Sequence, residues 1–232
     1  MKRTRLYHAT ILLLAAISAA EVLPNRQVAA QAVNDSVGFY NRGLALYRAL
    51  DYKGAVEFYR RAISLDPHFA DAYNSLCVAY AKLNLSEKAI ESCHQAVSLK
   101  PDLEAAHYNL GLLFAAAHEH GEAIESLLIA VRIGPNDALA QYHLGLEYAE
   151  SGRQEEALIA LKRAITLKPN YSAAYNQLGV VRDELGQYEA AIQSFAKAIT
   201  LKSDQAESYN NLGVTYCHAG RYPEAPQSSS GE

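Results

Sequence analysis

Leu-Lys-Pro at residues 167–169, Ala-Tyr-Asn-Gln-Leu-Gly at 174–179 and Gly-Gln-Tyr-Glu-Ala-Ala-Ile at 186–192 decide the fold, because variants of each return along the chain at one fixed interval. The prolines Pro67, Pro101, Pro135 and Pro169 lie 34 residues apart. In the same phase run Ala55, Ala89, Ala123, Ala157, Ala191 and Ala225, and a second small site follows at Ala62, Ala96, Ala130, Ala164 and Ala198. A third holds Gly43, Cys77, Gly111, Gly145, Gly179 and Gly213. Small side chains at fixed places allow two helices to approach closely, where a larger one would hold the backbones apart. The large apolar positions between them, Leu76, Leu110, Leu144, Leu178 and Leu212 and then Leu65, Leu99, Ile133, Leu167 and Leu201, complete a core-forming pattern. A period of this length predicts an array of small units, none able to bury its apolar face alone.

Within a unit the apolar residues recur at spacings of three and four, as in Leu158, Leu161 and Ile165, which is the period of a helix and not of a strand. Each unit is therefore two helices. Gly152, Gly186 and Gly220 mark the break between them, where a left-handed helix end is sterically free. The prolines end the second helix, since the residue before a proline is pushed out of helical geometry.

The units resemble tetratricopeptide repeats over about residues 36–222, with several residue types agreeing at fixed spacings in five full units. The resemblance implies an all-α, right-handed superhelical solenoid of antiparallel helix pairs. The units span 36–69, 70–103, 104–137, 138–171 and 172–205, with a partial one at 206–222, inside a repeat domain of residues 33–222. Half of the 232 residues are hydrophobic, enough for one elongated domain with a shared core. Departures are local: Cys77 in place of glycine, Ser203 in place of the terminal proline, Arg42 where leucine is usual and Arg182 at an aromatic position.

The first 32 residues differ in kind. Lys2, Arg3 and Arg5 precede an uncharged stretch from Leu6 to Ala20, followed by Glu21, Pro24 and small residues. This is the pattern of a signal peptide, too short for a spanning helix of about 20 residues. Cleavage sites present themselves after Ala20, Ala30 or Ala32, and the alternative is an uncleaved N-terminal anchor, the one route by which the chain would meet a membrane. Removing residues 1–32 takes four of the 21 basic and one of the 25 acidic residues, moving the formal net charge from −4 to −7. An acidic mature chain argues against nucleic acid, whose binding needs a basic footprint. Export also bears on the cysteines. Cys77 and Cys93 should stand level across the hairpin of the second unit, and two readings stay open: a disulfide, or two buried thiols acting as small hydrophobes. Cys217 is left over.

At the other end, Pro226 takes the place that Ile192 holds one repeat earlier, so a second helix cannot propagate there, and residues 223–232 form a polar tail. The inward residues of the last helix still read as though a partner were expected. Either the frame ends early, or Leu212 and Tyr216 meet another chain and the protein forms a homo-oligomer through its C-terminal helix.

The resemblance places the concave, ligand-binding face on the first helix of each unit. One row there is Asn41, Ser75, Asn109, His143, Gln177 and Asn211, short amides and hydroxyls suited to the backbone of an extended peptide. This row is similar to the asparagine ladder of O-linked N-acetylglucosamine transferases, with asparagine kept at three of its six positions. A second row, Leu44, Val78, Leu112, Leu146, Val180 and Val214, reads either as an apolar strip for partner side chains or as core. A third, Arg48, Lys82, Ala116, Glu150, Glu184 and His218, runs from basic to acidic and would orient a ligand, or is simply a solvated surface. The carboxylate clamp of chaperone-binding relatives has no counterpart, because Tyr40, Leu44, Ser75, Ala105 and Asn109 stand at its positions.

Catalysis finds little support. His118-Glu119-His120 with Glu122 is the densest group of metal-ligand types, yet histidines two apart do not make a chelating helix face, and no metal or other cofactor is expected. No phosphate-cradling loop or nucleophile motif is present. The expectation is an exported, non-enzymatic scaffold that binds a protein or peptide through its concave face. The alternative is the repeat portion of a larger enzyme, such as a glycosyltransferase.

Overall fold

The computed structural model describes residue 31 and residues 34–221. Among the described residues there are eleven helices and no strand. They are α1 (34–48), α2 (Tyr52–Leu65), α3 (Ala70–Lys82), α4 (Ser86–Leu99), α5 (Glu104–Ala116), α6 (His120–Ile133), α7 (Ala138–Glu150), α8 (Gln154–Leu167), α9 (Ser172–Glu184), α10 (Tyr188–Leu201) and α11 (Ala206–His218). From α3 onward the first helix of each unit has 13 residues and the second 14, so the period of the sequence is reproduced residue for residue. Packing groups them into two compact units, one ending at Leu99 and the other beginning at Lys100. The N-terminal signal pattern with its cleavage sites, Ala225, Pro226 and the polar tail lie outside the described residues. No described helix is long and apolar enough to cross a membrane.

The break between the two helices of each 34-residue repeat is one motif, present six times. Leu50, Asn84, His118, Gly152, Gly186 and Gly220 all take a left-handed backbone, with φ between 58° and 72°. The following amide then reaches back to a carbonyl in the last turn of the helix: Asp51 to Leu46, Leu85 to Tyr80, Glu119 to Phe114, Arg153 to Tyr148, Gln187 to Arg182 and Arg221 to Tyr216, at 2.8–3.0 Å. These bonds satisfy helix-terminal carbonyls that would otherwise lack a partner. Three of the six positions are not glycine, so the hydrogen bonding fixes the turn and the residue type only modulates its cost.

The second helices end where the prolines predict. Asp66 and Lys168, each just before a proline, are extended at φ −134°. Lys202 is extended too, at φ −150°, although Ser203 follows it. In this unit the helix ends at the same register without a proline.

The small-residue sites are contact sites. A methyl group built on Gly43 would come within 2.6 Å of the Tyr59 ring, and on Gly111, Gly145 and Gly179 it would strike Leu127 at 2.6 Å, Leu161 at 2.7 Å and Phe195 at 2.5 Å. Those facing side chains are fully buried, each worth about 1.5–3 kcal/mol of transfer free energy. In the second unit Leu127 and Leu161 belong to a core built with Ile124, Leu144, Tyr148, Leu158, Leu178 and Val181, and Phe195 belongs to a separate cluster with Ala191 and Leu212. In the first unit Tyr59, Leu76, Ala55 and Ala79 do the same. Cys77 and Cys93 are joined as a disulfide between α3 and α4, with Cα atoms 5.3 Å apart. Cys217 is a free thiol, exposed. Arg182, at its aromatic position, lies half-buried and donates to Ala190 O at 3.0 Å and Ser194 Oγ at 2.6 Å of α10, with burial holding its pKa down.

Candidate functional site

In the second unit the first helices α5, α7, α9 and α11 touch one another in succession, whereas α6, α8 and α10 do not. A stack that is closer along one edge bends towards that edge, so the inner face of this unit is made by the first helices. Residues spaced three and four apart share such a face. Asn109, His143, Gln177 and Asn211 are half-buried on it, beside Leu112, Leu146 and Val180, which are also half-buried, and Val214, which is 44% exposed. Glu150, Glu184 and His218 are exposed at the helix ends, as is Ala116. In the first unit, Asn41, Arg48 and Lys82 are exposed, and Ser75 Oγ donates to Tyr40 Oη at 3.3 Å. Leu44 and Val78 there are half-buried, with Leu44 against the core around Tyr59; Val180 packs likewise against the core around Phe195. The aliphatic row thus divides between core and surface.

Ring packing along this face is what the sequence reading missed. His143 meets Tyr108 and Tyr142 edge-on, with centroids 5.7 and 5.2 Å away, and Tyr142 meets Tyr171 at 4.9 Å. Lys168 Nζ sits 4.5 Å from the Tyr171 centroid. Burial depresses the His143 imidazole below its ordinary value even though Glu147 and Asp137 pull it upward. Burial, with the neighbouring Tyr142, Tyr108 and Asp137, raises the Tyr171 phenol to about 12. The signal was available in the column Tyr40, Asn74, Tyr108, Tyr142, Asn176 and Asn210, one residue before the amide row.

Where that column changes from tyrosine to asparagine, hydrogen bonds take over. Buried Asn176 donates from Nδ2 to Glu207 Oε1 at 3.0 Å, and its Oδ1 accepts from Ser208 Oγ at 2.9 Å and Asn211 Nδ2 at 3.5 Å. Ser172 Oγ donates to Gln205 Oε1 at 2.5 Å. Nearby, His218 Nδ1 lies 2.8 Å from Asp183 Oδ2. Burial, then the charges of Asp183 and Glu150, holds the Glu184 carboxyl above the ordinary carboxylate range.

The histidine cluster is structural in its contacts. His118 occupies the left-handed turn, its ring 6.0 Å from that of His120, whose Nδ1 lies 2.9 Å from Glu147 Oε2 on α7. Among the described residues no three histidine, cysteine or carboxylate side chains converge as metal ligands. A shallow hollow of about 590 Å³ along α6, lined by Glu125, Leu128, Ile129, Val131 and Arg132, shares no residue with the inner rows.

Sequence profiles described as tetratricopeptide repeat match residues 36–69, 70–103 and 96–138, and one described as TPR repeat matches 145–182 and 184–220. The chain belongs to the tetratricopeptide repeat family. Among curated proteins no relative matches this repeat protein. Solved structures do. MamA is 28% identical, with a TM-score of 0.66, over 71% of this chain and 96% of its own. YrrB, described as a TPR protein with an unusual peptide-binding site, is 22% identical with a TM-score of 0.67, over 78% and 96%. PilW, described as a widely conserved type IV pilus biogenesis factor, is 24% identical with a TM-score of 0.72, over 82% and 88%. Together they establish the tetratricopeptide solenoid fold.

Proposed function

We propose that this tetratricopeptide-repeat protein is an exported, non-enzymatic scaffold that holds an extended segment of another protein against the inner face of its second unit. The observation that carries the reading is the side-by-side run of α5, α7, α9 and α11, which sets half-exposed Leu112, Leu146 and Val180 beside the polar row Asn109, His143, Gln177 and Asn211. Amides and an imidazole at one repeating position can hydrogen-bond a peptide backbone, which repeats its own amides, while the aliphatic row selects side chains. The peptide-binding site attributed to YrrB supports this use of the fold. Export rests on the N-terminal charge and hydrophobicity pattern, and the Cys77–Cys93 disulfide supports it, since such bonds persist in oxidising compartments.

The test is a pull-down from envelope extract with the wild-type chain and an Asn109→Ala/His143→Ala/Gln177→Ala variant. The variant should lose the proteins that the wild type recovers. Equal recovery by both would reject the groove. Intact mass measurement of the protein purified from its native compartment tests export, with loss of an N-terminal segment ending at Ala20, Ala30 or Ala32 as the expected result.

A further inference from the structure

The fixed charge on the inner face of the second unit is acidic and increases from α5 towards α9 and α11. Continuing the three- and four-residue spacing along α5, α7, α9 and α11 adds the registers 105/139/173/207, 108/142/176/210 and 115/149/183/217 to the rows already described. None of these registers, nor the three rows themselves, holds a lysine or arginine in this unit. Along these registers α5 carries no carboxylate, α7 carries Glu150 at its end, α9 carries Asp183 and Glu184, and α11 carries Glu207.

Cations beside these helices have partners of their own, Arg221 with Glu189 among them. Arg182 is turned away, with Nη1 bonded to α10, and Lys168 is spent on the Tyr171 ring. Asp183 has His218 as a partner, and Glu207 accepts from the neutral amide of Asn176. Burial, and after it the charges of Asp183 and Glu150, raises the Glu184 carboxyl, so these carboxylates lie close enough to feel one another. The charge of Glu207 also reaches Tyr142, whose phenol is raised by burial and then by that carboxylate, so the acidic end and the aromatic floor are parts of one surface.

We propose that the occupant of this face is an extended cationic segment of a partner protein, apolar side chains on Leu112, Leu146 and Tyr142 and lysine or arginine against Glu150, Glu184 and Glu207. The assignment rests on the peptide-binding reading and adds to it the sign and the polarity of the ligand. Charge complementarity of this kind sets orientation and excludes acidic competitors, which would meet like charge at the α9 end.

The test is selection of a phage-displayed random library of roughly twelve-residue peptides, long enough to cross several helices, on the full chain. A Glu150→Gln/Glu184→Gln variant is selected in parallel. Both glutamates are exposed, and circular dichroism checks that the variant stays folded. Peptides rich in lysine and arginine alternating with apolar residues should be enriched on the wild type. A fluorescent copy of one should bind the variant roughly tenfold more weakly, and lose affinity similarly in about 0.5 M salt. Enrichment of neutral or acidic peptides, or equal affinity for both chains, overturns the charge assignment and leaves the peptide groove standing. Enrichment of nothing over bare matrix overturns both.

Discussion

Leu50, Asn84 and His118 hold a left-handed backbone that Gly152, Gly186 and Gly220 adopt in the later units, with the same hydrogen bonds closing every turn. A side chain in that region costs on the order of 1–2 kcal/mol, and glycine returns part of the gain through unfolded-chain entropy. Leu50 is 71% exposed, so little packing is lost with it. Leu50→Gly is therefore expected to raise stability by roughly 0.5–1 kcal/mol, measured as a higher urea midpoint with an unchanged slope. His143 is the other informative residue. Its folded pKa lies below the ordinary 6.5, so the unfolded chain takes up the proton first as pH falls. The stability tied to the neutral ring is complete above that value and is lost as pH drops through the folded pKa. Urea midpoints followed from neutral to mildly acid pH should fall more steeply for the wild type than for His143→Gln. Parallel curves would show that the ring is not the source.

At the scale of helices, the same glycine column makes opposite predictions in two places. In α7 a methyl on Gly145 strikes Leu161, whereas nothing among the described residues lies within 4 Å of one on Gly213 in α11. Gly145→Ala should lose about 1–3 kcal/mol to overpacking, offset in part by helix propensity. Gly213→Ala should gain up to about 1 kcal/mol, the full propensity term. Thermal melts of the two variants check this, and a shift of the same sign in both would refute it. The disulfide between α3 and α4 spans 16 positions, and a loop of that length contributes about 3 kcal/mol by constraining the unfolded chain. Cys77→Ala/Cys93→Ala should lower the denaturation midpoint accordingly, and a reductant should then have no further effect. Helix number and pairing were legible in the sequence because small and large apolar residues recur in phase with them. The turn at Leu50 was not, because its residue type argues against the conformation that the hydrogen bonds impose.

For the molecule as a whole, the period carried the reading from one unit to all of them, and the family resemblance said which helix of each pair to read for the inner rows. What register could not supply is the pairing of side chains from different units. Tyr108, His143, Tyr142 and Tyr171 come from two columns and a loop, and Asp183 meets His218 from a separate column again, so their contacts depend on helix offsets rather than on repeats. The grouping of the helices into units meeting at Leu99 and Lys100 has no mark in a sequence whose pattern runs through that point without a break. One local feature bears on how the entire chain answers force. The Cys77–Cys93 bond encloses the α3–α4 turn within a single hairpin. Tension applied at the two termini passes through the sulfurs and bypasses the residues between them, so the oxidised chain reaches full extension about 50 Å short of the reduced one. A pulling trace with and without reductant would display that missing length, and any machine that draws this protein through a narrow channel must admit one segment that traction cannot straighten.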